Sequence, residues 1–214
     1  MRTWFLLLAP LAAVTAGCGD ELHAIEVLPP RTSSTCSAPT VKAAALARGL
    51  LDLDASETLH GAYTADLRVS ATRDLHVEGL SFGYQLPDGA GSATTSEAEK
   101  ASGDRVTGGL VLAGDDDDLR AGVLEDVVLL PRELAVALRD DGGVEADDTR
   151  FATVVVEMRI LSDGGALEGT ASTFALDVCR GCLVAEPDAE ECPTGVAERA
   201  VCRPGQDVPL YGCK

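Results

Sequence analysis

Residues 63–71 read Tyr-Thr-Ala-Asp-Leu-Arg-Val-Ser-Ala, and their alternation decides the fold class. Tyr63, Ala65, Leu67, Val69 and Ala71 fall on one side of a period of two, with Thr64, Asp66, Arg68 and Ser70 on the other. Successive side chains of an extended chain point to opposite faces, so this spacing predicts a strand with one face turned to a core. Leu80, Phe82, Tyr84 and Leu86 repeat the pattern against Gly79, Ser81, Gly83 and Gln85. Further strands are expected over 45–53, 105–113, 123–130, 150–161 and 170–178. In the last two, Val154, Val156, Met158 and Ile160 are expected to face Phe174, Leu176 and Val178 across a core. Ser162-Asp163-Gly164-Gly165 would close a hairpin there, since glycine accepts the positive φ such turns need.

One helix interrupts the strands. Pro131 suits a helix start, Leu134, Ala135 and Leu138 make one apolar stripe, and Gly142-Gly143 ends it. The segments 87–104 and 114–120 read as loops. Strands of this number and spacing predict an all-β fold, an immunoglobulin-like β-sandwich of about seven strands with one short helix. The Cys…Trp…Cys signature of true immunoglobulin domains is missing, so the expectation concerns architecture only.

Outward from the strands, the N-terminus carries a different signal. Arg2 precedes an uncharged run from Trp4 to Gly17, 14 residues long. Spanning a hydrocarbon core takes roughly 20 helical residues, so this run is an export signal and not a membrane span. Its end, Val14-Thr15-Ala16-Gly17-Cys18, resembles the lipobox of bacterial lipoproteins, with Thr15 where that family prefers Leu. The resemblance implies a diacylglyceryl group on the Cys18 thiol, cleavage before it, and acylation of the new amino end. Multiple acyl chains anchor stably where one binds only marginally. In Gram-negative members an Asp after the cysteine favours the inner membrane; Gly19 in that slot implies the outer membrane. The alternative is an ordinary secretory signal cut after Ala16, with Cys18 free or in a disulfide.

The expected organisation is a signal peptide over 1–17, a Pro-, Ser- and Thr-rich tether over 18–42 with one short strand near Ala24–Leu28, a sandwich over 43–178 and a Cys-rich tail over 179–214. Loss of Arg2 with the signal takes the net charge from −18 to −19. That excludes nucleic acid as a partner and disfavours anionic headgroups, because both need clustered Lys and Arg. Aromatic residues are 4% of the chain, too few for stacking platforms.

Reserving Cys18 for lipid leaves Cys36, Cys179, Cys182, Cys192, Cys202 and Cys213, an even set that reads as a disulfide framework in an oxidising compartment. If all are paired, one of the five tail cysteines reaches Cys36. Cys179-Arg180-Gly181-Cys182 also has the spacing of a redox-active pair, and with Cys192 and Cys202 of a zinc site. The spacers are unusual for zinc, and Pro187 breaks the helix that would lower a thiol pKa.

Gly79-Leu80-Ser81-Phe82-Gly83 matches a hydrolase elbow, yet it continues a strand, and His23, His60 and His76 all precede Ser81. No catalytic residue and no cofactor is assigned. The run Asp115, Asp116, Asp117 and Asp118 lacks the ligand spacing of an EF-hand loop, and calcium binding there is kept as an alternative. Beyond the lipobox, the chain resembles a loose set of bacterial lipoproteins with a β-rich body and a Cys-rich end, through Val178-Cys179-Arg180-Gly181-Cys182-Leu183 and Gly205-Gln206-Asp207. The expected role is a lipid-anchored structural or interaction module, non-enzymatic, with an envelope protein as partner. The alternatives are a calcium-assisted adhesion or ligand-binding domain and a thiol–disulfide oxidoreductase acting through Cys179 and Cys182.

Overall fold

The computed structural model describes residues 23–31, 39–54, 63–72, 74–112, 120–145, 150–162, 165–166, 171–183 and 206–207. Along them run β1 (His23–Val27), β2 (Arg48–Asp52), β3 (Tyr63–Ala71), β4 (Leu75–Gln85), α1 (Ser92–Ala101), β5 (Gly103–Leu112), β6 (Arg120–Leu130), α2 (Arg132–Asp141), β7 (Ala152–Ser162), β8 (Gly165–Ala166) and β9 (Ser172–Cys179). The fold is mostly β. One sheet has the order β1-β3-β6; the other has the order β2-β9-β7-β4-β5, with β8 on β7. Neighbours are antiparallel except β2 and β9, which run parallel from Arg48↔Ala175 to Asp52↔Cys179.

The alternation of β3 places Tyr63, Ala65, Leu67, Val69 and Ala71 in the core, as the period of two requires. Val77, Leu80 and Phe82 of β4 join them from the other sheet. Val154, Val156 and Met158 stand beside Phe174 and Leu176 and not across a core from them. Val156 pairs with Phe174 and Val154 with Leu176 on adjacent strands of one sheet. Both rows therefore share one face, and Leu67 and Val69 of the other sheet complete the same core.

The segment 87–104, expected as a loop, contains α1. Its buried residues are only Thr94 and Ala98, so it lacks the apolar stripe that announces a helix. It forms because α2 receives it. The Ala93 N–H donates to Asp141 Oδ2 at 3.0 Å, the Gly91 N–H to the Asp141 carbonyl at 2.7 Å, and the Thr94 hydroxyl to the Ala137 carbonyl at 2.9 Å. Asp141 supplies the N-terminal cap that the helix's own sequence does not. Helix α2 follows Pro131, buries Leu134, Ala135, Ala137 and Leu138, and stops at Gly142 as its sequence predicts.

The folded body also reaches beyond 43–178. Within the segment 18–42, β1 pairs with β3, and Ile25, Val27 and Leu28 are buried. Residues 114–119 of the second expected loop lie outside the described residues.

Two side chains bind the helical end to the sheets. The Arg105 guanidinium lies 4.4 Å from the Phe82 ring centroid and donates to the Tyr84 hydroxyl at 2.7 Å, the Ala101 carbonyl at 2.5 Å and the Val128 carbonyl at 2.8 Å. Tyr84 in turn donates to the Leu129 carbonyl at 2.8 Å. Burial pushes the Tyr84 phenol above its usual range, and Arg105 opposes the shift. The folded state therefore keeps this proton longer than the unfolded chain does. Stability is expected to fall as pH rises past about 10, the ordinary tyrosine value, and Tyr84→Phe should flatten that part of the pH profile of thermal unfolding.

Gly49 lies beneath Tyr63 and Phe174, where an added Cβ would come within 2.5 Å of the Tyr63 hydroxyl and 2.9 Å of Phe174 Cζ. Gly49→Ala should cost about 1–3 kcal/mol in urea unfolding, the usual penalty of overpacking a core.

Candidate functional site

The parallel register of β2 and β9 brings Asp52 beside Cys179 at the ends of both strands. The lone acid in Leu50-Leu51-Asp52-Leu53 has no exposed surface. Beyond Cys179 the chain turns through Arg180 and Gly181, and Cys182 closes a disulfide with Cys179 across a Cα–Cα distance of 5.9 Å. Gly181 sits at φ +80°, a left-handed conformation that costs an L side chain about 1–2 kcal/mol.

Asp52 organises this turn. Its Oδ1 accepts the Gly181 N–H at 2.9 Å and the Asp54 N–H at 3.0 Å, and its Oδ2 accepts the Leu183 N–H at 2.9 Å. Arg180 pairs with Asp54 at 3.2 Å outside it. Three donors replace the water that a buried carboxylate has lost. Asp52, Cys179 and Cys182 also place a carboxylate oxygen and two sulfurs within 4.8 Å of one another. Such a donor set suits zinc once both sulfurs are thiolates; joined to each other, they are not metal ligands. Cys179 is fully buried and Cys182 partly so, which leaves the Cys182 sulfur as the one open to attack. Cys179 ends a strand, without the helix N-terminus that lowers a thiol pKa.

A second polar centre joins the tail to both sheets. Gln206 accepts the Thr64 N–H at 2.8 Å and donates to the Thr64 carbonyl at 2.9 Å. Asp207 accepts the Leu50 N–H at 2.7 Å and the Tyr63 hydroxyl at 2.7 Å, while its own N–H donates to the Leu50 carbonyl at 2.8 Å.

A third lies on the outer face of β3. Asp66, fully buried, accepts from Arg31 Nε at 2.8 Å and Arg31 Nη2 at 2.7 Å, and from the Asp126 N–H at 3.0 Å. Arg31 also reaches Glu125 and Asp126 at 3.2 Å each. The hydrogen bond with Asp66 holds the guanidinium protonated well beyond its ordinary range. Asp126 adopts φ 55° where the β3–β6 register slips.

Of the residues that the sequence singles out, the structure brings together Cys179 and Cys182. Cys18, Cys36, Cys192, Cys202, Cys213 and Asp115 to Asp118 lie outside the described residues. Ser81 lies inside β4, paired with Asp104 of β5 on one side and Arg159 of β7 on the other, and not on a strand-to-helix turn. His76 is exposed on β4, and His23 opens β1. Asp52 and Asp66 were not singled out, and Gln206 and Asp207 entered only through the tail resemblance, with no structural role attached. An acid inside an apolar run was the one visible signal, at Asp52. Comparison with protein-family models, curated proteins and solved structures finds no match for this chain.

Asp52→Ala strands the Gly181, Leu183 and Asp54 N–H groups. It should cost about 3 kcal/mol or more in urea unfolding, at about 1 kcal/mol or more for each unmet donor, and Asp52→Asn less, since it retains one acceptor oxygen.

Proposed function

We propose that this chain is a lipid-anchored module of the cell envelope, held to the membrane through Cys18 and acting structurally or by binding an envelope protein. The carrying observation is the uncharged run from Trp4 to Gly17 behind Arg2, ending in Ala16-Gly17-Cys18. Gly19 after the cysteine favours the outer membrane. A disulfide between Cys179 and Cys182 suits an exported protein, since such bonds persist in oxidising compartments.

The sandwich reading is immunoglobulin-like. Taken as A, B and E, the strands β1, β3 and β6 have the neighbour order of one immunoglobulin sheet. Taken as G, F, C and C′, the strands β9, β7, β4 and β5 have that of the other, with β2 added beside β9. Such a body offers loops and edges for binding, and its acidic charge keeps it apart from nucleic acid and anionic lipid.

Intact mass spectrometry of protein from membrane fractions tests the anchor. The expected mass lacks residues 1–17 and carries acyl chains, and Cys18→Ser should move the protein to the soluble fraction. A Cys18→Ser chain that stays with the membrane defeats the reading.

A further inference from the structure

The tail returns to the body in a manner its length does not impose. The Leu183 N–H is held by Asp52, and Gln206 makes an antiparallel bridge to Leu51, the neighbouring residue of β2. Residues 184–205 lie between them; so many residues reach over 70 Å when extended, at about 3.3–3.6 Å each. Gln206 and Asp207 are held where they return by hydrogen bonds to Leu50, Tyr63 and Thr64.

That place reads both side chains. Thr64 offers Gln206 one donor and one acceptor at 2.8 and 2.9 Å, as a neighbouring strand's backbone would. A carboxamide answers both; a glutamate could not donate to the Thr64 carbonyl. Leu50 N–H and Tyr63 O–H each donate to one oxygen of Asp207 at 2.7 Å, so a carboxylate answers both. An asparagine there could keep its oxygen for the Leu50 N–H only by turning its NH2 to the Tyr63 oxygen, which gives up the hydroxyl's bond to a charged acceptor. Gln206 is only 4% exposed, so mismatches would not be relieved by water.

We propose that the seam between β2 and β3 is a recognition slot for a Gln-Asp segment that bends at Asp207, whose φ is 53°, filled in cis by the chain's own tail and able to take the same segment from a second copy in trans. The linker is long enough for either arrangement, and exchange of an identical element is a low-cost route between copies. The two arrangements make the same hydrogen bonds.

The test uses a fluorescent peptide of residues 203–210, Arg-Pro-Gly-Gln-Asp-Val-Pro-Leu, titrated onto full-length Asp207→Ala with its fold checked by circular dichroism. Weakening the internal ligand should expose the slot, giving saturable binding. Replacing both Gln and Asp of the peptide by Ala should weaken binding more than tenfold, and Tyr63→Phe in the protein by about tenfold, as loss of a hydrogen bond to a charged group does. Gln206→Ala serves as the milder variant if Asp207→Ala does not fold. Absence of saturable binding to a folded variant overturns the proposal, as does equal binding of the Ala-substituted peptide.

Discussion

A carboxylate taken out of water costs several kcal/mol unless donors replace the lost solvent. Asp52 has no exposed surface, and the N–H groups that meet it include one inside the Cys179–Cys182 turn, one just after it and one two residues past Asp52 itself. The end of β9, the turn and the end of β2 are consequently one unit. The disulfide joins residues three positions apart and closes a short loop. Position is imposed on that loop from outside, by the carboxylate.

The same device recurs at two other places among the described residues. Asp66 receives Arg31 and the irregular backbone of β6, tying the stretch after β1 across the first sheet. Asp207 receives Leu50 and Tyr63, tying the tail to both sheets at once. The core between the sheets is aliphatic, with Phe82, Phe174 and Tyr63 as its few rings. Apolar burial holds the two sheets together, and buried or half-buried acids set where the flanking segments lie. Net charge −18 therefore describes the chain poorly, because its most consequential carboxylates are inside.

Strands were legible because β3, β4, β7 and β9 each bury one face, and burial of one face writes a period of two into the sequence. Helix α2 was legible from Pro131, its Leu134–Leu138 stripe and Gly142 for the corresponding reason. Helix α1 was not, since its cap comes from Asp141, 48 positions from Ala93, and its contact with α2 uses Thr94 and Ala98 in place of large apolar residues. The hydrophobic pattern of β7 and β9 showed which face each strand buries but not whether the two were partners or opposites, a matter of pairing. Asp66 stands on the polar side of the β3 pattern, where solvent is the ordinary expectation. The arrival of Arg31 and of β6 covers it, and neither is local. Asp207 is less visible still, as its partners lie more than 140 positions away.

The parallel pairing of β2 with β9 has a mechanical consequence. Five register pairs join the strands, from Arg48↔Ala175 to Asp52↔Cys179. Tension applied to the chain entering β2 and to the chain leaving β9 pulls the two strands in opposite senses along their common axis. The rungs then bear load together, in shear, instead of opening one after another from an end. Asp52 adds its bonds at the very point where the pull on β9 enters. Traction on the segments flanking β2 and β9 therefore meets five rungs at once, while β1 on β3 and Gln206-Asp207 on β2 and β3 take up a pull that comes from further out along the chain.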